Sequence, residues 1–239
     1  MVDDIGLMDQ IANLRAFGVV VTLGAFLAAE KLYKRYPSPF THPLLVSSVG
    51  IMILLRVSGI GYAAYNQGGR LITFFLGPAT VALGIPLYRQ TEEISRNRLL
   101  IIASVTAGGI AAMMVAAAVV RLCGGSLLLV LSMIPKSVTT PIAMEISRVI
   151  GGVPALTSVF VVTTGLLGAM FGPELLWVLG IKDPKAIGLA LGTAAHGIGT
   201  GRAIQEGERV GAYSGLAMGL AGLFTAILAP LVAALLRRF

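Results

Sequence analysis

The sequence is poor in charge. Charged residues make up 12% of the 239 residues, whereas hydrophobic residues make up 56%. A soluble domain carries roughly a quarter charged residues, so this composition excludes a soluble protein and predicts one that spans a lipid bilayer. Most of the chain must then be membrane-embedded helix and short connections, which excludes a large soluble domain.

Other scarce residues exclude further classes. One cysteine, Cys123, excludes an internal disulfide and a cysteine-cluster metal site. The two histidines, His42 and His196, lie far apart and make a poor metal site, and no nucleophile–histidine–acid set has a recognisable spacing. No Walker loop is present, which argues against an ATP-driven pump acting alone. We therefore expect neither an enzyme nor a protein that carries a metal or cofactor.

The basic residues lie at the ends of apolar segments. The net charge is +7, and Lys34, Arg98 and Arg237 each mark such an end. This distribution is typical of the positive-inside rule, so it indicates membrane topology rather than binding to nucleic acid. Acidic residues and Arg15 interrupt the start of the chain, and we expect no cleavable signal peptide. The expected location is the inner (cytoplasmic) membrane, crossed several times.

Apolar segments predict an all-α integral membrane protein with about seven or eight transmembrane segments. Five segments are continuous: residues 11–32, 41–55, 99–120, 153–173 and 211–236. Three are interrupted by glycine, proline or polar residues: 71–88, 126–150 and 186–204. Because broken backbone is tolerated in hydrocarbon only where it faces protein or a water-filled cavity, we expect these three in the interior.

Two pairs of motifs predict an internal duplication. "YPSPFTHPLL" at 36–45 resembles "IPKSVTTPIA" at 134–143, and "LGPATVALGI" at 76–85 resembles "LGTAAHGIGT" at 191–200. We expect one membrane domain over residues 1–239 with approximate repeats 11–121 and 124–239, each with a discontinuous helix. Transporters commonly carry such repeats in opposite orientations. If residues 126–150 enter and leave on the same side, they provide the required change of direction.

The stretch "PKSVTTPIAMEIS" is the first candidate site. Thr139 or Thr140 before Pro141 predicts a helix start, whose free N–H groups suit an anion. Lys136 would add a full positive charge. The alternative is a capped helix after a loop, with Lys136 at the membrane interface.

A charged pair follows on the same predicted helix. Glu145 and Arg148 are three residues apart, so they form either a solvated ion pair or an intramembrane one in which Glu145 binds a coupled proton.

His196 is the main candidate in the second stretch. If the segment is locally helical, Thr193, His196 and Thr200 share one face. Gly197 and its neighbouring glycines allow close backbone approach. His196 could bind a carboxylate or carry a proton, and the alternative is a packed glycine face with one hydrogen-bonded histidine.

Two further residues complete the candidate set. Arg202 either contacts a carboxylate or marks the end of a span, with its charge extended towards the interface. Thr80 lies on the other broken helix, which we expect to face the same pocket.

These motifs resemble those of the LrgB/CidB family. The resemblance rests on "LGPATVALGIPLY", "PKSVTTPIAMEIS" and "LGTAAHGIGTGRAIQEGERVGAYSGLAMGL" and covers about residues 11 to 236. It implies an antiholin-like or holin-like protein linked to murein hydrolase export and cell lysis. It also implies a relation to the plastidial glycolate/glycerate translocator and to pyruvate movement in bacteria. A smaller LrgA/CidA-type membrane protein is the usual partner.

Two functions therefore compete. A holin-type lesion needs no buried polar site and no repeated broken helices, whereas a carrier needs both. The sequence favours a secondary transporter of small monocarboxylates such as glycolate, glycerate, lactate or pyruvate. We expect alternating access around a midplane pocket, proton coupling through His196 or Glu145, and a homo-oligomer. The alternative is a holin-like regulator of lysis.

Overall fold

The structure is a computed structural model that describes residues 15–82, 84–89 and 91–237; some side chains between 73 and 93 lie outside the description. All regular secondary structure in these ranges is helical, which confirms the all-α class. The chain forms two compact units, Met1–Ala82 and Leu83–Phe239.

The described residues of the first unit, 15–82, contain three α-helices. They are α1 (Arg15–Arg35), α2 (Pro43–Ser58) and α3 (Tyr62–Ala82), with a short 3₁₀ helix at Pro39–Thr41. Gly18 on α1 lies directly against the backbone of α3, where a larger side chain would meet the Tyr65 carbonyl. The Thr22 and Tyr65 hydroxyls are 2.7 Å apart, so α1 and α3 are joined by backbone contact and a hydrogen bond.

The second unit contains the remaining helices. They are α4 (Gly84–Arg89), α5 (Thr91–Arg96), α6 (Arg98–Leu122), α7 (Leu127–Met133), α8 (Thr140–Val149), α9 (Pro154–Val178), α10 (Pro184–Glu206) and α11 (Glu208–Leu236). The charge-free run at residues 99–120 forms α6, as predicted. α6 ends where Gly124 adopts a φ of 74°, a left-handed conformation that glycine adopts without a side-chain clash.

Four described helices are long and apolar enough to cross a membrane: Ala16–Arg35, Arg98–Leu122, Pro154–Val178 and Glu208–Leu236. α2 is apolar but has only 16 residues. These helices support a membrane protein, as the composition predicts.

The core of the second unit lies between α6, α7, α8, α9 and α11. Its largest buried side chains include Tyr213, Ile134 and Val138. A smaller, separate apolar cluster contains Ile187, Leu191 and Ala203 of α10 together with Val210 of α11.

Candidate functional site

α10 contains a sharp turn at His196. This residue has φ 43° and ψ −136°, and among the described residues it is the one non-glycine with a positive φ. A Cβ built at Gly199 would lie 2.7 Å from the Leu191 carbonyl oxygen. Eight residues of straight helix span about 12 Å. The chain therefore reverses direction at His196.

The two arms of α10 are residues 184–195 and 197–206. The first arm leads to the turn at His196, and the second arm runs back to the end of the unit at which the first arm begins. Ala203 in the second arm shares an apolar cluster with Ile187 in the first. Leu191 lies against Gly172 of α9, and Arg202 pairs with Glu174 two residues further along α9. We refer to this helix–turn–helix as the α10 hairpin, with His196 at its tip.

This geometry corrects one expectation. Residues 186–204 are expected to form a transmembrane segment, whereas in the structure the segment turns back at His196. A straight helix would place Gly199 about 12 Å from Leu191, so the close approach of these two residues rules out a simple crossing.

Small residues let the hairpin pack closely on its neighbours. A Cβ at Gly165 of α9 would lie 2.7 Å from His196 Nε2, and a Cβ at Gly192 would meet the Ser214 carbonyl of α11. A Cβ at Gly197, which the sequence singles out for close approach, would have Met218 Sδ as its nearest contact, at 3.8 Å. The close-approach role therefore belongs to Gly165, Gly192 and Gly199 rather than to Gly197.

The tip carries a buried polar group. His196 is 4% exposed, and its Nε2 lies 3.0 Å from the Val161 carbonyl oxygen of α9. The Thr200 hydroxyl donates to the His196 carbonyl at 2.9 Å and lies 2.9 Å from the Ser214 hydroxyl. Because His196 leaves the helical conformation, the predicted helical face does not apply to it. His196 and Thr200 meet through the main chain instead.

Thr193 lies one turn before the tip. It is 7% exposed, and its methyl group would lie 3.3 Å from a Cβ at Gly108 of α6. Within the described ranges its hydroxyl has no hydrogen-bond partner.

The segment from α7 to α8 also turns back. The Thr157 hydroxyl of α9 donates to the Ser132 carbonyl at 2.8 Å and lies 2.7 Å from the Ser147 hydroxyl. Ser132 is near the end of α7 and Ser147 is near the end of α8, so the intervening chain goes out and returns. The turn at residues 134–139 lies in the interior, where Ile134 and Val138 are each 1% exposed.

The start of α8 has the predicted form in part. Thr139 is the N-cap residue, Thr140 is the first helical residue and Pro141 is the second. The Thr139 side chain makes no capping hydrogen bond. The first backbone N–H groups of α8 therefore lie at the buried turn and donate no hydrogen bond to the side chain of the N-cap residue.

Lys136 belongs to this turn. Its ammonium donates to the Ser137 hydroxyl at 3.2 Å. The turn contributes Ile134 and Val138 to the main apolar core, and Val161 of the same core contacts His196 through its carbonyl oxygen, so the turn and the tip of the α10 hairpin both border this core. The ammonium suits an anion, with hydroxyls and backbone N–H groups as further donors.

The remaining candidate residues lie away from the two turns or have side chains that the structure does not describe. Glu145 and Arg148 form an ion pair of 2.9 Å on the outer face of α8, with side chains 64% and 65% exposed. This exposed pair matches the solvated alternative in geometry. Thr80 lies in α3, and its side chain is outside the described residues.

Arg202 is held by two carboxylates. Its Nη2 lies 3.3 Å from Glu174 Oε1 of α9 and 2.8 Å from Glu206 Oε1 in the same arm, and its side chain is 12% exposed. The pair with Glu206 has the i,i+4 spacing that the sequence shows, whereas the pair with Glu174 joins two different helices.

Three residues around the α10 hairpin were not predicted from the sequence: Gly165, Glu174 and Ser214. Glu174 alone had a readable signal, because it is an acidic residue within a long apolar run. The sequence next to Gly165 and Ser214 gives no signal of their roles, because these roles depend on residues from other helices.

Comparisons with known proteins agree with the motif resemblance. The model of the LrgB-like family matches residues 22–235. "Holin-like protein CidB" of Staphylococcus aureus (strain N315) is 33% identical over 214 residues, covering 90% of this chain and 93% of the relative. "Uncharacterized protein YwbG" of Bacillus subtilis (strain 168) is 39% identical over 210 residues, covering 88% and 93%. No solved structure gives a significant match. With nearly its whole length matched, the chain belongs to the LrgB-like family.

Proposed function

We propose that the protein is a holin-like membrane protein that modulates membrane permeability, murein hydrolase export and cell lysis, without catalysing a reaction itself. The observation that carries this proposal is the match of nearly the whole chain to relatives named holin-like. In a bacterial host that exports murein hydrolases, induction of the chain should change the rate of lysis and the hydrolase activity outside the cells. Unchanged lysis and hydrolase release at verified membrane expression would contradict it.

A second function is favoured by the geometry of the α10 hairpin. A buried histidine at the tip of a broken helix, held by a backbone carbonyl of α9, supports an interior solute site. A weakly specific lesion requires no such site. We therefore propose, as the second candidate, a carrier of small monocarboxylates of the glycolate, glycerate, lactate or pyruvate type.

In this carrier the substrate carboxylate binds between the two turns. The start of α8 contributes Thr139, Thr140 and Pro141. The tip of the hairpin contributes Thr193, His196, Gly197 and Thr200. Thr80 belongs to the equivalent broken helix of the first unit. Lys136 adds positive charge. The same proposal includes proton coupling through His196 or Glu145. It also includes Arg202 as a further positive charge of the site.

The proposed membrane arrangement has about seven or eight embedded segments in two inverted repeats. The paired motifs of the sequence support the repeats, and the returning segments at residues 126–150 and 186–204 supply two embedded elements that do not cross. We further propose insertion in the inner membrane, a homo-oligomer, and a smaller LrgA/CidA-type membrane protein as partner. The family membership supports this partner.

Proteoliposomes separate the two functions. A carrier gives saturable uptake of labelled glycolate or pyruvate, retains large dyes, and loses uptake in His196→Ala and Thr193→Val. A holin-type lesion releases large dyes without saturation and is insensitive to both substitutions. Thr163→Val, at an exposed position of α9, is the matched control for Thr193→Val and should leave uptake unchanged. Dye release without saturable uptake would eliminate the carrier.

A further inference from the structure

The start of α8 and the tip of the α10 hairpin both meet α11 near its middle. A Cβ at Gly222 of α11 would lie 3.3 Å from Cδ1 of Ile142, the third residue of α8. Gly222 is the middle residue of the 29 in α11, so each end of that helix lies about 21 Å away. One turn earlier on α11, Met218 Sδ accepts a hydrogen bond from the Thr200 hydroxyl at 3.9 Å. Since α11 is long enough to cross a membrane, both turns lie in the interior of the bilayer.

Lys136 lies in the buried turn that leads into α8. Its neighbour Pro135 is fully buried, and Ser137 is 8% exposed. The Lys136 N–H donates to the Met133 carbonyl at 3.1 Å, and the Val138 N–H donates to the Pro135 carbonyl at 3.3 Å, so the turn is closed by its own backbone. The ends of α11 lie further from this turn than a lysine side chain extends. This distance argues against an interfacial position for the Lys136 ammonium.

The Lys136 ammonium has no carboxylate partner among the residues that the structure describes. Its hydrogen bond within these ranges goes to the Ser137 hydroxyl at 3.2 Å, although an ammonium carries three N–H donors. Of the two basic residues in the carrier proposal, Arg202 is paired with Glu174 and Glu206, so Lys136 is the unpaired one. A charge in a low-dielectric interior is costly without a counter-charge. An anion from outside the chain would supply that counter-charge.

We propose that Lys136 is the anchor that binds the solute carboxylate, that Ser137 is a positioning residue for its ammonium, and that the site selects monoanions over dianions. The N–H groups at the start of α8 donate to the same carboxylate. A second carboxylate would be desolvated without a second unpaired ammonium or guanidinium among the described residues, which disfavours a dianion. The inference rests on the carrier proposal and names the group that recognises its solute.

Anion-dependent thermal unfolding of the purified full-length protein in detergent tests the anchor. Glycolate is the probe, its neutral amide glycolamide controls for shape, malonate adds a second carboxylate, and chloride controls for ionic strength. An anion that binds the folded state raises the unfolding midpoint with its concentration, which gives its Kd. Lys136→Met removes the ammonium, and Lys136→Arg keeps a positive charge. Lys182→Met, at an exposed position between α9 and α10, is the matched control.

Glycolate should raise the midpoint of the wild-type protein, whereas glycolamide and chloride at the same concentration should not. Lys136→Met should weaken glycolate binding at least about ten-fold, because a charge-assisted hydrogen bond is lost. Lys136→Arg should bind glycolate more tightly than Lys136→Met, and Lys182→Met should bind it as the wild type does. Malonate should bind at least about ten-fold more weakly than glycolate.

Ser137→Ala tests the positioning role. It should weaken glycolate binding about two- to ten-fold, because the ammonium loses the hydroxyl that orients it. The same substitution should have no further effect in a Lys136→Met background, as expected for a residue that acts through Lys136. Equal losses in both backgrounds would exclude this role.

Stability without solute gives a readout that is independent of transport. Lys136→Met should unfold at the temperature of the wild type or above it, because an unpaired charge leaves the interior. A lower midpoint would mean that Lys136 has a structural partner, and it would overturn the proposal.

Binding and uptake separate the failure of the anchor from the failure of the carrier. The anchor is wrong if glycolate binds equally well to Lys136→Met, or if glycolate leaves the unfolding of the wild type unchanged. Equal affinities for glycolate and malonate, or equal effects of glycolate and chloride, would overturn the selection of a monocarboxylate. Binding that depends on Lys136 without saturable uptake in proteoliposomes contradicts the carrier alone, whereas saturable uptake by Lys136→Met contradicts the anchor alone.

Discussion

Gly165→Ala tests how the tip of the α10 hairpin is seated. The added Cβ would lie 2.7 Å from His196 Nε2, 2.8 Å from His196 Cε1 and 2.9 Å from Ile198 Cδ1. All three distances are shorter than real Cβ contacts, so either the imidazole ring or the tip must move. Either movement breaks the 3.0 Å bond to the Val161 carbonyl.

The magnitude follows from two costs. Overpacking a tight site costs about 1–3 kcal/mol, and the loss of one buried hydrogen bond costs about 1 kcal/mol more. A free-energy loss of about 2–4 kcal/mol lowers the midpoint of thermal unfolding by roughly 5–15 °C in a chain of this size. Because the strain in Gly165→Ala lies at the tip, the carrier proposal also predicts weaker solute binding in this variant.

The assay is thermal unfolding of the purified protein in detergent, followed by the fraction that remains soluble and monodisperse. Gly219→Ala is the matched control, because a Cβ at Gly219 in α11 meets no atom within 4 Å. It should be neutral or stabilising by about 0.5–1 kcal/mol, as expected for alanine in a helix. If Gly165→Ala unfolds at the same temperature as Gly219→Ala, the seating of His196 against α9 is refuted.

Two further substitutions test the polar interior. His196→Gly should be more stable than His196→Ala by about 1–3 kcal/mol in the same unfolding assay, because both lose the ring but glycine tolerates a φ of 43°; equal stability would contradict the strained turn. Thr157→Val should destabilise by about 1–3 kcal/mol, because the buried partners Ser132 and Ser147 lose the hydroxyl that joins them. Thr163→Val, an exposed position on the same helix, should change stability by less than about 0.5 kcal/mol, and a similar loss at both positions would contradict the role of the buried hydroxyls.

Local patterns were sufficient for the long helices. The run at residues 99–120 has no charge and no proline, so its length and composition alone predict α6. The start of α8 was also readable, since a threonine followed by Pro141 is a local signal for a helix start.

The local sequence pattern does not predict the reversal at His196. The glycines of residues 191–203 indicate a weak helix, but a kinked crossing and a hairpin have the same local pattern. The choice depends on α9, where Gly165 leaves room for the imidazole ring and Val161 presents a carbonyl. Those residues precede His196 by more than 30 positions, so the decisive contacts are tertiary.

Arg202 shows the same limit. Its pairing with Glu206 follows from helical spacing, and the sequence shows that spacing directly. Its pairing with Glu174 requires that the second arm return along α9, which only the reversal at His196 permits. The sequence alone therefore left Arg202 between an interfacial charge and a ligand contact.

The distance between the two arms of the α10 hairpin tests the central claim most directly. Spin labels at Lys185→Cys and Ile204→Cys, in a Cys123→Ser background, are separated by 19 residues of α10. Double electron–electron resonance should give a distance of about 10–20 Å, because antiparallel arms in contact lie about 8–10 Å apart at their axes. A straight helix would separate the two positions by about 28 Å, and that result would contradict the account.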